Sequence, residues 1–171
     1  MSASAISDIQ RLVECQSPTE DLAACTKVVD LAVEIANKVL STPAKAITEN
    51  GRPVFWWGAA NPKIVLLCHL DTVWPHDSFT PTWKIDGDNA KGPGVFDMKA
   101  GFVQALYAVK DVAGAESKVA LVATTDEETG SSTSKGLIER LAKGADAVLV
   151  FESAIDGKVK TGRKGDRKSV V

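Results

Sequence analysis

Apolar residues along this chain follow two spacings, and each spacing predicts one kind of secondary structure. In some segments they recur every three or four positions, as on the buried face of a helix. The helices predicted in this way cover residues 3–14, 18–40, 99–113 and 133–141. Elsewhere β-branched, aromatic and leucine residues form short runs that are typical of strands. These runs cover residues 44–48, 53–57, 63–69, 118–124 and 145–151.

Polar residues indicate where several of these elements begin and end. Ser17 is predicted to be the N-cap of the second helix, with Pro18 as its first residue and Glu20 completing a capping box. Asn50-Gly51 is a strong turn pair, which predicts a hairpin between the first two strands.

The alternation of strands and helices predicts an α/β fold, in which a mainly parallel mixed sheet is flanked by helices. Residues 74–94 are rich in Pro, Asp and Gly, and they are predicted to form an irregular loop. In sheets of this kind, ligands bind just beyond the carboxyl ends of the strands. The residues at those ends are therefore candidates for a functional site.

Three of the apolar runs end in residues that can bind a metal ion. The first ends at His69, with Asp71 two residues later, and the second ends in the acidic triplet 126–128. The third ends at Glu152, while Asp97 follows a glycine-rich loop and directly precedes a helix. Solvated surface charges would not recur so regularly at the ends of strands.

Each of these residues also has an ordinary structural interpretation when it is taken alone. His69 can be a hydrogen-bonded core histidine, Asp71 a loop cap, and Asp97 the N-cap of the following helix. The triplet 126–128 can be an acidic loop exposed to water, and Glu152 an ordinary strand-end residue. Together they favour a cation site, because neighbouring carboxylates repel unless a cation neutralises them or one keeps a proton.

One histidine among several carboxylates suits zinc, manganese or cobalt. His69 and Asp71 can share one strand face, so that Asp71 accepts the hydrogen bond of the second ring nitrogen. Asp97 can bridge two ions. Glu127 and Glu128 are adjacent, so one of them can bind metal while the other takes a proton from metal-bound water. A nucleotide-binding α/β domain is disfavoured, because the glycine-rich loop does not match a phosphate-binding motif.

Composition narrows the classes of function further. A net charge of −2 with 25% charged residues indicates neither nucleic acid nor a membrane surface as a partner. The chain has no bilayer-length apolar run and its first residues do not resemble a signal peptide. We therefore expect a cytoplasmic protein, with the periplasm as the alternative. Cys15, Cys25 and Cys68 are too widely spaced for a disulfide framework or a thiolate zinc site.

Four stretches resemble the co-catalytic zinc exopeptidases of the carboxypeptidase G, aminoacylase, acetylornithine deacetylase and peptidase T type. They occur in the order of that family and with similar spacing over residues 1–165. The stretches are Leu67–Val73 (LCHLDTV), Gly92–Lys99 (GPGVFDMK), Thr125–Ser131 (TDEETGS) and Phe151-Glu152. Glu152, and the Trp74-Pro75 pair after the first stretch, are most similar to the glutamate-carboxypeptidase branch.

The resemblance implies two Zn²⁺ ions, with Co²⁺ or Mn²⁺ as substitutes, and a role for each residue. His69, Asp97 and Glu152 would bind the first ion. Asp97 would bridge to the second ion, which Glu128 would bind. Glu127 would be the general base and Asp71 the partner of His69. The family also has a cis peptide after the bridging aspartate, here Asp97–Met98.

The implied activity is hydrolysis of an amide bond in a small peptide or N-acyl amino acid, by zinc-bound hydroxide. Members of the family continue into a lid or dimerisation domain and then supply a last zinc histidine, which His76 does not match. We therefore expect residues 1–160 to be the N-terminal part of a catalytic domain and 161–171 the truncated start of that lid, with a homodimer in the full-length form. The alternative is an inactive metal-binding fragment.

Overall fold

Helices and strands alternate through the residues that the computed structural model describes, 2–154 and 156–158. The helices are α1 (Ala3–Glu14), α2 (Leu22–Val39), α3 (Ala100–Lys110) and α4 (Lys135–Gly144). The strands are β1 (Lys45–Glu49), β2 (Arg52–Gly58), β3 (Ile64–His69), β4 (Lys84–Asp86), β5 (Asn89–Lys91), β6 (Val119–Thr124) and β7 (Ala147–Val150). The predicted start of a lid domain, 161–171, lies outside the described residues.

Five strands form one mixed sheet in the order β1-β2-β6-β3-β7, and β4 and β5 form a separate hairpin. β2 pairs antiparallel with β1 and with β6, whereas β3 runs parallel to both of its neighbours. The prediction of an α/β fold with a mixed sheet flanked by helices is confirmed, with parallel pairing confined to β6, β3 and β7. These three strands end at the same edge of the sheet, so the residues that follow them are brought together.

The two faces of the sheet bury different side chains, because successive strand residues point to opposite sides. On one face α1, α2 and α3 cover a core that includes Phe55 and Leu121. Phe102 of α3 meets Phe55 edge to face, with ring centroids 5.0 Å apart, a contact worth about 0.5–1.5 kcal/mol beyond the area it buries. On the other face α4 contributes Leu137 and Leu141. The sheet is thus held between two layers of helices.

The second helix begins at Leu22 rather than at Pro18. Its N-cap is Asp21, whose carboxylate accepts a hydrogen bond from the backbone N–H of Ala24 at 2.9 Å. The hydroxyl of Ser17 instead donates to the carbonyl of Leu70 at 2.6 Å. The prediction of Ser17 as the N-cap was wrong, because this contact holds the segment before α2 in an extended path beside the end of β3.

Turn residues account for both hairpins. Asn50 and Gly51 adopt positive φ angles of 47° and 85°, as the predicted two-residue turn requires. The predicted irregular loop 74–94 contains a short hairpin, β4–β5, which turns at Gly87 with a φ of 60°. All three cysteines are free. In the described part of the chain, no helix has both the length and the apolar character needed to cross a membrane.

Candidate metal centre

His69 ends β3, and its ring lies at the carboxyl edge of the parallel strands with 1% of the side chain exposed. Its Nδ1 faces the backbone carbonyl of Asp71 at 3.0 Å. A carbonyl can only accept a hydrogen bond, so Nδ1 carries the hydrogen. The second ring nitrogen, Nε2, is therefore directed towards the site and is the one available to a metal ion.

Three carboxylates surround Nε2 of His69. Asp97 Oδ1 lies at 3.0 Å, Glu152 Oε1 at 3.4 Å and Glu127 Oε2 at 4.0 Å. These residues come from the turn before α3, the end of β7 and the turn after β6. The parallel strands therefore bring together residues that are far apart in the sequence.

Two groups of ligand atoms share the His69 ring. In the first, one atom each from His69, Asp97 and Glu128 lie within 4.8 Å of one another. In the second, the same holds for His69, Glu127 and Glu152. Every residue that the sequence suggested as a metal ligand is thus within one cluster. Glu127, suggested as a base, also belongs to that cluster and has the geometry of a ligand.

Asp71 lies behind this cluster, where its carboxylate is fully buried. Its Oδ1 is 3.4 Å from Nδ1 of His69. It accepts hydrogen bonds from the hydroxyl of Thr19 at 2.8 Å and from the backbone N–H groups of Glu127 and Glu128 at 3.4 and 3.2 Å. Asp71 therefore orients both the histidine and the acidic turn. The sequence pattern had suggested only its contact with the histidine.

Asp97 lies in a kinked turn, Val95–Lys99, which leads into α3, and its own backbone is not helical, with φ −123° and ψ 97°. Gly94 starts this turn with a φ of 68°, and a Cβ there would come within 2.5 Å of the Thr72 side chain. The Asp97–Met98 peptide is cis, as the resemblance implied. Beyond it, the fully buried Lys99 donates to the carbonyls of Leu12 and Cys15 at 2.9 and 3.1 Å. These contacts tie the turn that carries Asp97 to the end of α1.

Asp126 has a different role from the two glutamates that follow it. It is buried and accepts hydrogen bonds from the backbone and hydroxyl groups of Thr133 and Ser134, at distances of 2.6–3.1 Å. Burial raises the pKa of Asp126, but the hydrogen bonds from Ser134 and Thr133 outweigh it, so that the pKa is lowered. The Asp126 carboxylate holds the start of α4 in place and leaves Glu127 and Glu128 to face the site.

Burial and the excess of negative charge together shift the pKa of the groups in the cluster. Burial lowers the pKa of His69, but the carboxylates of Asp71 and Glu152 outweigh burial and raise it to about 11. Burial raises the pKa of Asp97, and the neighbouring Glu152 raises it further. Burial is also the main cause of the raised pKa of the Glu127–Glu128 pair. The cluster therefore favours a bound positive charge.

The donor set fits a borderline divalent cation. It combines one imidazole nitrogen with several carboxylate oxygens, a mixture that zinc, cobalt and manganese accept. Nδ1 is held by the Asp71 carbonyl, as a ligating histidine requires, while Nε2 faces the carboxylates and lies 3.0 Å from Asp97 Oδ1.

Comparison with protein families matches residues 65–167 to peptidase family M20/M25/M40. Carboxypeptidase G2 of Pseudomonas sp. (strain RS-16) is 35% identical over 119 residues, which cover 63% of this chain and 28% of that protein. Succinyl-diaminopimelate desuccinylase of Gluconobacter oxydans (strain 621H) is 32% identical over 130 residues, 67% of this chain and 34% of that protein. The chain thus spans about a third of the length of these curated relatives.

Solved structures share the fold at lower sequence identity. An M20 family metallo-carboxypeptidase from Sulfolobus solfataricus superposes with a TM-score of 0.69 at 22% identity, covering 88% of this chain and 37% of that one. Human carnosine dipeptidase 1 superposes with a TM-score of 0.60 at 17% identity, covering 85% of this chain and 38% of that one. These two likenesses support the fold described above.

Proposed function

Because the chain belongs to peptidase family M20/M25/M40, we propose that it supplies the metal-binding part of the active site of a hydrolase. The substrate in this proposal is a small peptide or an N-acyl amino acid, cleaved at its amide bond. The observation that carries the proposal is the arrangement around Nε2 of His69, with Asp97 at 3.0 Å and Glu152 at 3.4 Å. The names of the relatives, a carboxypeptidase and a desuccinylase, favour the same class of substrate.

Two Zn²⁺ ions are the proposed cofactors, with Co²⁺ or Mn²⁺ as substitutes. His69 and Glu152 would hold the first ion, Glu128 the second, and Asp97 would bridge them. When bound, the ions polarise a carbonyl group and lower the pKa of water. Two groups of ligand atoms that share His69, one with Asp97 and Glu128 and one with Glu127 and Glu152, support binding of cations by these residues, as does the carboxylate-rich donor set.

Asp71 and His69 prepare the site before a substrate binds. The Asp71 carbonyl fixes the ring of His69 through Nδ1 at 3.0 Å, so that Nε2 faces the site, where an ion would replace its proton. The Asp71 carboxylate accepts hydrogen bonds from the backbone N–H groups of Glu127 and Glu128. The two glutamates are thereby held in one orientation, so less ordering is needed when the reacting groups meet.

Glu127 is the proposed general base. Its side chain is 38% exposed, so it can reach both the site and an entering substrate. Burial raises the pKa of Glu127 above that of an exposed glutamate, which makes its carboxylate a stronger base. It would take a proton from the attacking water and pass it to the leaving amine, a contribution of about 10²–10⁴-fold in rate.

Metal titration tests the ligand set directly. We expect the purified chain to bind Zn²⁺ in calorimetry and to retain it through gel filtration, and Asp97→Ala to lose this binding. Asp88→Ala, at an exposed acid in the β4–β5 turn, is the matched control and should bind as the wild type does. Absence of Zn²⁺, Mn²⁺ and Co²⁺ binding by the wild type, or equal binding by Asp97→Ala, would refute the proposal.

Turnover tests the role of Glu127 separately from metal binding. The test uses a form of the protein that hydrolyses N-acyl amino acids or dipeptides. In that form, Glu127→Ala should abolish turnover while zinc stays bound. Metal binding without turnover by the 171-residue chain would instead favour the alternative of a metal-binding fragment. Homodimer formation through a lid domain stays a prediction.

A further inference from the structure

An open cleft of about 630 Å³ lies beside Glu128, outside the cluster around His69. Its volume is in the range of about 300–1,000 Å³ that is usual for small-molecule sites. Two segments form its walls: the segment that leads into α2, with Pro18 and Leu22, and the segment after β3, with Val73 and Pro75. A group that occupies the cleft would therefore be within reach of the metal centre.

Apolar side chains are unusually exposed along these walls. Leu22 is 48% exposed and Val73 is 61% exposed. Trp74, which follows Val73 but does not line the cleft, is 45% exposed and meets Phe79 edge to face with ring centroids 5.0 Å apart. An apolar surface beside a polar reaction centre is typical of a substrate pocket, in which a few charged groups fix orientation.

The charges at the cleft are predominantly negative. Glu20, Asp21 and Glu128 line it, and His76 is the one basic residue among the described residues that line it. Nε2 of His76 already lies 3.1 Å from Oδ2 of Asp21. The backbone N–H of Ala24, and then His76, lower the pKa of Asp21, so that its carboxylate stays charged. A carboxylate that entered the cleft would meet like charges.

We propose that this cleft binds the acyl side of the substrate as an apolar group without negative charge. The inference rests on the proposed function, in which the leaving amino acid carries a carboxylate next to the scissile nitrogen. That carboxylate is disfavoured beside Glu20 and Asp21, which are not among the proposed metal ligands, so the acyl half is the one that enters. The same charges disfavour acyl groups that end in a carboxylate, such as succinyl.

Two probes that differ only in the acyl group test this selectivity. N-benzoylglycine carries an apolar acyl group and N-succinylglycine an acidic one, while the glycine half is identical. Both are titrated into the ¹⁵N-labelled chain with Zn²⁺ present, and dissociation constants are taken from the shifts of cleft amides. We expect N-benzoylglycine to bind about tenfold more tightly or better, because burial of a benzene ring and charge repulsion act in the same direction.

Variants on the two walls locate the binding. Val73→Asp and Leu22→Asp should each weaken N-benzoylglycine binding by about tenfold. Val112→Asp is the matched control, since Val112 is 56% exposed but does not line the cleft. Glu20→Lys should narrow the difference between the two probes, whereas Asp88→Lys should leave it unchanged. Equal weakening by the wall variants and by Val112→Asp would overturn the inference.

Zinc titration of the same samples separates the two proposals. Val73→Asp and Leu22→Asp should bind Zn²⁺ as the wild type does, which also shows that the site is folded. Failure of the wild type to bind metal would overturn the proposed function and the cleft assignment with it. Intact zinc binding with equal affinity for the two probes would overturn the cleft assignment alone.

Discussion

The hydroxyl of Thr19 should contribute far more to stability than an ordinary threonine hydroxyl. It donates to Oδ2 of the fully buried Asp71 at 2.8 Å, the shortest of three hydrogen bonds to that carboxylate. Valine has nearly the same shape, so Thr19→Val leaves Asp71 with the two longer bonds from Glu127 and Glu128. Since a hydrogen bond to a charged group contributes about 1.5–3 kcal/mol, we expect the free energy of unfolding to fall by about 2 kcal/mol.

Urea unfolding of two variants measures this loss. In the control, Thr26→Val, the hydroxyl that is removed donates to the Leu22 carbonyl on the exposed side of α2 at 2.9 Å. We expect that variant to change the free energy by less than about 0.5 kcal/mol, and both variants to keep the wild-type slope with urea. If the two variants lose the same free energy, the Thr19 hydroxyl does not stabilise Asp71.

Two further predictions concern groups away from the proposed reaction. Lys99→Met should lower the free energy of unfolding by about 2 kcal/mol, because it leaves the buried carbonyl of Leu12 and the partly buried carbonyl of Cys15 without their donor. A comparable loss in Lys45→Met, at an exposed lysine of β1, would contradict this. The hydroxyl of Tyr107 donates to Asp8 at 2.9 Å, and burial followed by Asp8 raises its pKa to about 12. A raised pKa gives stability that is complete below the unfolded value of about 10 and is lost as pH rises through the folded value. The wild type should therefore lose stability relative to Tyr107→Phe between about pH 10 and 12, and parallel pH profiles of the two proteins would contradict the assignment.

Strong local patterns made most of the sheet and of the site predictable from the sequence. The three parallel strands β6, β3 and β7 are uninterrupted apolar runs, although β7 lies at the exposed edge of the sheet, and parallel strands must end at one edge of a sheet. The polar residues after those runs, from His69 to Glu152, therefore had to meet. These residues meet because the strands before them are parallel neighbours in one sheet. The apolar pattern of the sequence can indicate that arrangement.

The features that sequence reasoning missed depend on contacts between distant residues. Ser17 has the character of an N-cap, but its hydroxyl finds the Leu70 carbonyl, and Asp21 caps the helix instead. In the acidic triplet, Asp126 is structural because Thr133 and Ser134 bind it from a later turn. Three consecutive acids give no sign of which one is buried. The β4–β5 hairpin did have a local signal, a glycine flanked by two aspartates at residues 86–88.

The Asp71 carboxylate joins parts of the chain that are far apart, and this determines when the site can form during folding. Its hydrogen bond with Thr19 spans 52 residues, and that with Glu127 spans 56 residues. Contacts of such length form only after long loops have closed, and they slow folding. The proposed ions would require this assembled geometry, so they would bind the folded chain more tightly than the unfolded one. Free metal would then add to the free energy of unfolding by mass action, so that stability would depend on the concentration of the ion.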